Sequence, residues 1–228
     1  MRRLVLVALA ACGRVGFNSS VDAGGSLAIR QTMSLLSASN PVGLSIGATG
    51  AGNLLVLATS NITSTEVVSS LTDDAGNTYV SAGSNYTDKS VTVGEVWYAA
   101  SSNPNATELT IANPNGVLRE LWFVEVVGAR LASPLDAVAT ISDAPQVAPV
   151  SSPPVTPTSY PAIVIAQMNV SGSIGGLACG SEFVALPLLH GDDTAYQIVG
   201  VPGTYQATWN APTESLYGAA SVAFAAQP

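Results

Sequence analysis

Charge is what this sequence has least of. Asp, Glu, Lys and Arg together make up 10% of its 228 residues, against about a quarter in ordinary soluble domains. Ser, Thr, Asn, Gln and Gly must therefore cover much of the surface. Basic residues are scarcest: seven Lys and Arg stand against fifteen Asp and Glu, a formal net charge of -8. Loss of the first eleven residues would take Arg2 and Arg3 with it and leave five against fifteen, or -10. Such a surface repels phosphate backbones and anionic headgroups, so nucleic acid is not expected as a partner, and neither is electrostatic docking to a membrane. Cysteine is limited to Cys12 and Cys179, and His190 is the one histidine, which argues against a disulfide scaffold and against a zinc site. No metal and no cofactor is expected. Long apolar runs are missing too: Leu4 to Ala11 is eight residues, about 12 Å of helix against the roughly 30 Å of a bilayer core, too short to span it.

That short run nevertheless has a setting. Arg2 and Arg3 precede it as a positive region, and Leu9, Ala10 and Ala11 lead into Cys12, the layout of a targeting signal that is removed from the mature chain. Cys12 then has three readings: partner of Cys179, residue of a discarded leader, or lipid attachment point. The stretch Leu9-Ala10-Ala11-Cys12-Gly13 resembles the lipobox of bacterial lipoproteins. That resemblance implies a signal peptide over residues 1–11, lipid attachment at Cys12, a membrane partner reached through the anchor, and no disulfide partner for Cys179, which reads as a buried thiol. The start CGRVGF is also similar to that of a group of Gram-negative surface lipoproteins, and Gly13 after the cysteine leans towards the outer membrane. Residues 12–26, rich in Gly, Ser, Asn and Asp, suit a flexible tether.

Beyond Ser26 the chain runs in short apolar or alternating segments bounded by Gly, Pro, Asn and Asp, with no convincing 3.6-residue period. This predicts an all-β fold, a two-sheet antiparallel β-sandwich over residues 27–228. NLLVLAT and AIVIAQ are apolar on both faces, as central strands are. In TYQATW the alternation puts Tyr205, Ala207 and Trp209 on one side and Thr204, Gln206 and Thr208 on the other. The segment from Pro145 to Pro161 carries six prolines and reads as a long edge connection within the domain (145–161). NLLVLATSNITS and PAIVIAQMNVSG resemble each other when Asn61 is matched to Asn169, which suggests sheets completed from both halves of the chain.

GNLLVLATSN, SSLTDDAGNTYV, VWYAAS, LWFVEVVGA and SPLDAVA follow in order across roughly residues 50 to 140. Together with the late TYQATWN and AASVAFAA they resemble a jelly-roll-like β-sandwich module of secreted and cell-surface bacterial proteins. The resemblance implies fold and surface context. The family's activity is unassigned, so it brings no functional residues.

Chemistry-bearing motifs are few. GLSIG around Ser45 matches the hydrolase pattern G-x-S-x-G, but it lies in an extended run with no helix behind it, so chance composition is the reading. Asp73, Asp74 and Asn77 read as a hairpin turn, and His190, Asp192 and Asp193 as a polar loop; calcium bound by such loops is the alternative. Trp97, Tyr98, Trp122 and Trp209 read as core, with stacking platforms for sugars the alternative. Glu95, Glu120 and Glu125 read as solvent-facing strand residues; a common groove holding them would suit glycoside hydrolysis. The tripeptides at Asn61, Asn85, Asn105 and Asn169 fit the glycosylation pattern by chance. The expectation is a non-catalytic surface lipoprotein displaying a binding or adhesive module, with glycan or another surface protein as ligand. A carboxylate-based glycan hydrolase and a structural envelope protein are the alternatives.

Overall fold

The computed structural model describes residues 26–62, 68–83, 86–87, 92–112, 119–145, 149–170, 176–178, 181–210 and 216–228. The leader, the tether up to residue 25, Cys12, Asn85 and Cys179 lie outside the described residues.

Among the described residues the fold is all-β. The first half holds β1 (Ala28–Ser37), β2 (Val42–Ser45), β3 (Leu54–Ile62), β4 (Ser70–Asp73), β5 (Val80–Ser81), β6 (Tyr86–Thr87), β7 (Thr92–Ala99), β8 (Glu108–Ala112) and β9 (Arg119–Val127). The second holds β10 (Leu135–Pro145), β11 (Val150–Ser151), β12 (Ala162–Val170), β13 (Val184–Ala185), β14 (Asp193–Val199), β15 (Thr208–Trp209) and β16 (Leu216–Ala225). All paired strands run antiparallel.

The two halves repeat one plan. The large sheet of the first half has the order β1-β9-β3-β7-β5, and that of the second β10-β16-β12-β14-β13. A smaller sheet accompanies each: β2-β8-β4 in the first, and β11-β15 in the second, where a bridge from Leu177 to Trp209 stands where β4 does. The pairing of β6 with β7 at Tyr86–Gly94 has its counterpart in the bridge from Leu189 to Asp192. The large sheets therefore contain no strands exchanged between halves, contrary to the expectation that both halves complete each sheet. Residues 128–134, and not the proline segment, form the junction. The proline segment instead supplies β11, and Val155 within it bridges Tyr205. A two-stranded layer leaves open positions where proline's missing N–H costs no ladder bond.

The layers follow from side-chain alternation. In β3, Leu54, Val56 and Ala58 face the second half, packing with Trp122, Val124, Ile163, Ile165, Val222 and Phe224. Leu55 and Leu57 face the small sheet of their own half, against Val42, Leu44, Leu109 and Ile111. β12 does the same: Ile163 and Ile165 face the first half, while Val164, Ala166 and Met168 face Val150 and Trp209. The two large sheets thus form a β-sandwich, and each carries its small sheet on its outer face. A sheet buried on both faces needs strands apolar on both faces, which is why NLLVLAT and AIVIAQ lack polar alternation. Each fully buried Leu, Ile or Phe contributes about 1.5–3 kcal/mol.

Ladder pairs fix which residues correspond. Val80 pairs with Tyr98 and Val184 with Tyr196; Ala82 N donates to Val96 O, and Leu186 N to Thr194 O. Glu95 therefore corresponds to Asp193, and Tyr79 to Phe183. Thr59 pairs with Glu95 and Met168 with Asp193, so the counterpart of Asn169 is Ser60. The match of Asn61 to Asn169 is one residue out of register, and one residue inverts every facing.

Candidate functional site

A shallow groove of about 600 Å3 opens on the second half, where β13 and β14 part from β11 and β15. Two segments form its walls: Ala178 with residues 181–183, which lead into β13, and 204–208, which lead into β15. Gln197 reaches it from β14 and Pro149 from the residue before β11. Phe183 is buried at its base, and Ser181, Glu182, Thr204, Tyr205, Gln206 and Thr208 present polar groups. The outward set Thr204, Gln206 and Thr208 is the one that alternation in TYQATW assigns. Ser181, Glu182 and Gln197 carry no local signal, because only the fold brings them to this place.

The corresponding place in the first half is closed. There the walls are residues 74–79 and 103–108, and hydrogen bonds join them. Asp74 accepts from Thr107 N at 2.8 Å, from Thr107 Oγ1 at 2.6 Å and from Glu108 N at 3.2 Å. Hydrogen bonding by the Thr107 hydroxyl, then by its amide, holds the Asp74 carboxyl below its ordinary pKa. Asn103 N donates to Asn77 Oδ1 at 2.6 Å, and Asn103 Nδ2 to Ala75 O at 3.1 Å. Asp73 accepts from Asn77 N at 3.0 Å and from the Tyr79 hydroxyl at 2.9 Å. In the second half the walls share Ala178 N to Thr208 O at 2.8 Å. DDAGN is thus a turn, but not a hairpin turn: β4 before it pairs with β8 in the small sheet, and β5 after it pairs with β7 in the large one.

The three strand glutamates are buried, not solvent-facing: Glu95, Glu120 and Glu125 have 1%, 0% and 0% exposure. Strand alternation aims each inward at a different place. Glu125 accepts from Arg30 Nη1 at 2.8 Å, Gln31 Nε2 at 2.5 Å, Gly50 N at 2.7 Å and Asn53 Nδ2 at 2.6 Å. Burial pushes its pKa up, but these donors together hold it below the ordinary value. Glu95 faces the small sheet, accepts from Val68 N at 2.6 Å, and is pushed up to about 7 by burial. Its counterpart Asp193 is likewise pushed up to about 7 by burial, while accepting from Trp209 Nε1 at 2.8 Å.

Glu120 faces the second half and meets Asp192. Asp192 accepts from Ser60 Oγ at 2.8 Å and Val170 N at 2.9 Å, whereas neither oxygen of Glu120 accepts a hydrogen bond from the described residues. Two ionised carboxylates cannot coexist in a dry layer. The assignment that satisfies both is a protonated Glu120 donating to an ionised Asp192. Burial, then the Asp192 charge, pushes Glu120 up to about 10, and burial raises Asp192 as well. HGDDT is therefore not simply a polar loop. His190 and Gly191, both at positive φ, make a tight turn between Leu189 and Asp192, which leaves His190 exposed and turns Asp192 and Asp193 into the core.

The remaining candidates fall where packing puts them. Trp122 and Trp209 are fully buried; Trp97 and Tyr98 are partly so, Trp97 packed against the core within the first half and Tyr98 against the core between the halves. Tyr98 meets Phe224 edge-on at 5.2 Å. Ser45 is an exposed residue of β2 paired with Glu108, not a nucleophile turn. Asn61 and Asn169 are buried. Among the described residues no three His, Cys, Asp or Glu side chains gather to hold a metal ion.

Fold and groove together define a duplicated β-sandwich that carries an open, largely uncharged surface groove. No protein-family model, no curated protein and no solved structure matches the chain.

Proposed function

We propose that the protein is a non-catalytic binding or adhesive module, displayed at a bacterial cell surface by a lipid on Cys12, with the groove of the second half as its binding site. The observation that carries this reading is the contrast between equivalent places. One plan, used twice, is joined shut by Asp74 and Asn77 in the first half and left open in the second. A merely structural repeat has no need of that difference. A hydrolase reading has less support, because Glu95, Glu120 and Glu125 share no cleft and Glu182 is the one carboxylate among the described groove residues. We also read each half as jelly-roll-like, from first, last and third strands adjacent in the large sheet and second beside next-to-last in the small one.

Two measurements test the reading. Cys12→Ala should move the chain from the membrane fraction to the soluble fraction; unchanged fractionation overturns the anchor. The unanchored Cys12→Ala chain should then co-sediment with isolated bacterial envelopes, and a further Thr204→Trp, which fills the groove from an exposed position, should reduce that binding about tenfold or more. Equal co-sedimentation with an unchanged melting temperature would remove the groove from the function.

A further inference from the structure

The lining of the groove says which chemistry it takes. Tyr205 stands on one wall as a fixed ring. Its hydroxyl donates to Val201 O at 2.5 Å, and a Cβ on Gly203 would come within 3.3–3.5 Å of its phenol end, so the ring lies against that glycine. Gly203 is itself held by Tyr160, whose hydroxyl donates to Gly203 O at 3.2 Å and accepts from Gly203 N at 3.1 Å. A ring held this way offers an apolar face with little conformational freedom left to lose on binding.

Around it stand two amides with one end tied. Gln197 Nε2 donates to Glu182 at 3.0 Å, and Gln206 Nε2 donates to Ser152 O at 2.7 Å. An amide has two donors and an acceptor with two lone pairs, so each keeps capacity to donate and to accept at an orientation the first bond fixes. Thr204 and Thr208 add hydroxyls, themselves bonded to Thr156 at 2.8 Å and Ser151 at 3.0 Å. The described lining contains no Lys, Arg or His, so an anionic ligand finds no counter-charge. The apolar residues Pro149, Ala178 and the buried Phe183 are too few for a hydrophobic peptide anchor. The volume falls in the ordinary range for ligand sites.

Resting on the binding reading above, we propose that the groove takes a neutral saccharide chain, with one sugar ring lying on Tyr205 and its hydroxyls bonded by Gln197 and Gln206. Vicinal hydroxyls each donate and accept, as the amides do, and the C–H face of a pyranose matches an aromatic face. A shallow groove suits a chain that continues beyond it.

The test is affinity electrophoresis of the unanchored Cys12→Ala chain in gels containing dextran, a β-glucan or a galactomannan, with alginate as an anionic polysaccharide and gelatin as a polypeptide. At least one neutral polysaccharide should retard it. Tyr205→Ala should weaken that retardation about tenfold, and Tyr205→Phe, which keeps the ring, should stay within about twofold. Retardation by alginate or gelatin alone, lost on Thr204→Trp, would keep groove binding and overturn the saccharide assignment. Neutral binding untouched by both Tyr205→Ala and Thr204→Trp would overturn both. Retardation by none of the neutral polysaccharides overturns the assignment.

Discussion

Between about pH 7 and pH 9 the protein should lose stability, and Glu120→Gln should abolish most of that loss. The proton between Glu120 and Asp192 is the cause. A carboxyl raised in the folded state to about 10 binds its proton more tightly there than in the unfolded chain. Its stabilisation is complete below the ordinary carboxylate pKa and drains as pH rises towards the folded value. The slope is at most about 1.4 kcal/mol per pH unit, so two units correspond to a drop of several degrees in melting temperature for a chain of this size. Glu95 and Asp193 act with the same sign but are spent above about 7, which isolates the pair in the upper window. Glutamine keeps an N–H for Asp192 and has nothing to titrate. The variant should gain on the wild type steadily as pH rises from 7 to 9; parallel melting curves across that range would refute the shared proton.

Gly218→Ala should be among the most damaging single-methyl changes in the molecule. Tyr86 on β6 enters the interface between the halves and donates to Asn169 Oδ1 at 2.9 Å, with 1% of its surface exposed. Gly94 on β7 and Gly218 on β16 face it from the two large sheets. A Cβ on Gly218 would lie 2.6 Å from the backbone oxygen of Thr87 and 2.7 Å from the Tyr86 ring. Neither yields cheaply: the first is main chain, and the second is a buried, hydrogen-bonded side chain. Overpacking of this kind costs about 1–3 kcal/mol, and displacing β6 also strips the Tyr86–Asn169 bond, so a loss of about 3 kcal/mol or more is expected in chemical denaturation. Gly94→Ala, whose Cβ would lie 2.1 Å from the Tyr86 ring, should show a loss of similar size. Wild-type midpoints for both would mean that β6 does not wedge the interface.

Much of this architecture is written in local pattern. Central strands announce themselves by two apolar faces, and TYQATW shows its outward side before any fold is known. What escapes is whatever depends on partners distant in sequence. A glutamate in an apolar strand looks solvent-facing, because burial needs a neutraliser that the strand itself does not supply; for Glu125 it is Arg30, and for Glu120 a proton shared with Asp192. The repeat shows in letters at Asn61 and Asn169, yet letters cannot reveal that Asn61 faces its own half and Asn169 faces the other, towards Tyr86. The six prolines of 145–161 draw attention as a connection between halves, whereas the true junction at 128–134 is unremarkable in composition. The groove is the extreme case: alternation in one segment marks Thr204, Gln206 and Thr208, whereas Ser181, Glu182 and Gln197 meet them only through tertiary packing.

The placing of β9 and β16 has a kinetic side. Each is the final strand of its half, yet each lies between the first and third strands of its half in the large sheet, so β1 must wait for its neighbour, by about a hundred residues where Ala28 meets Val127. Closure over such spans is slow relative to hairpin formation. The same arrangement sets an order during synthesis. Once residue 127 has emerged the first half holds every strand of its own sheets, and the second half then assembles against a face that already exists.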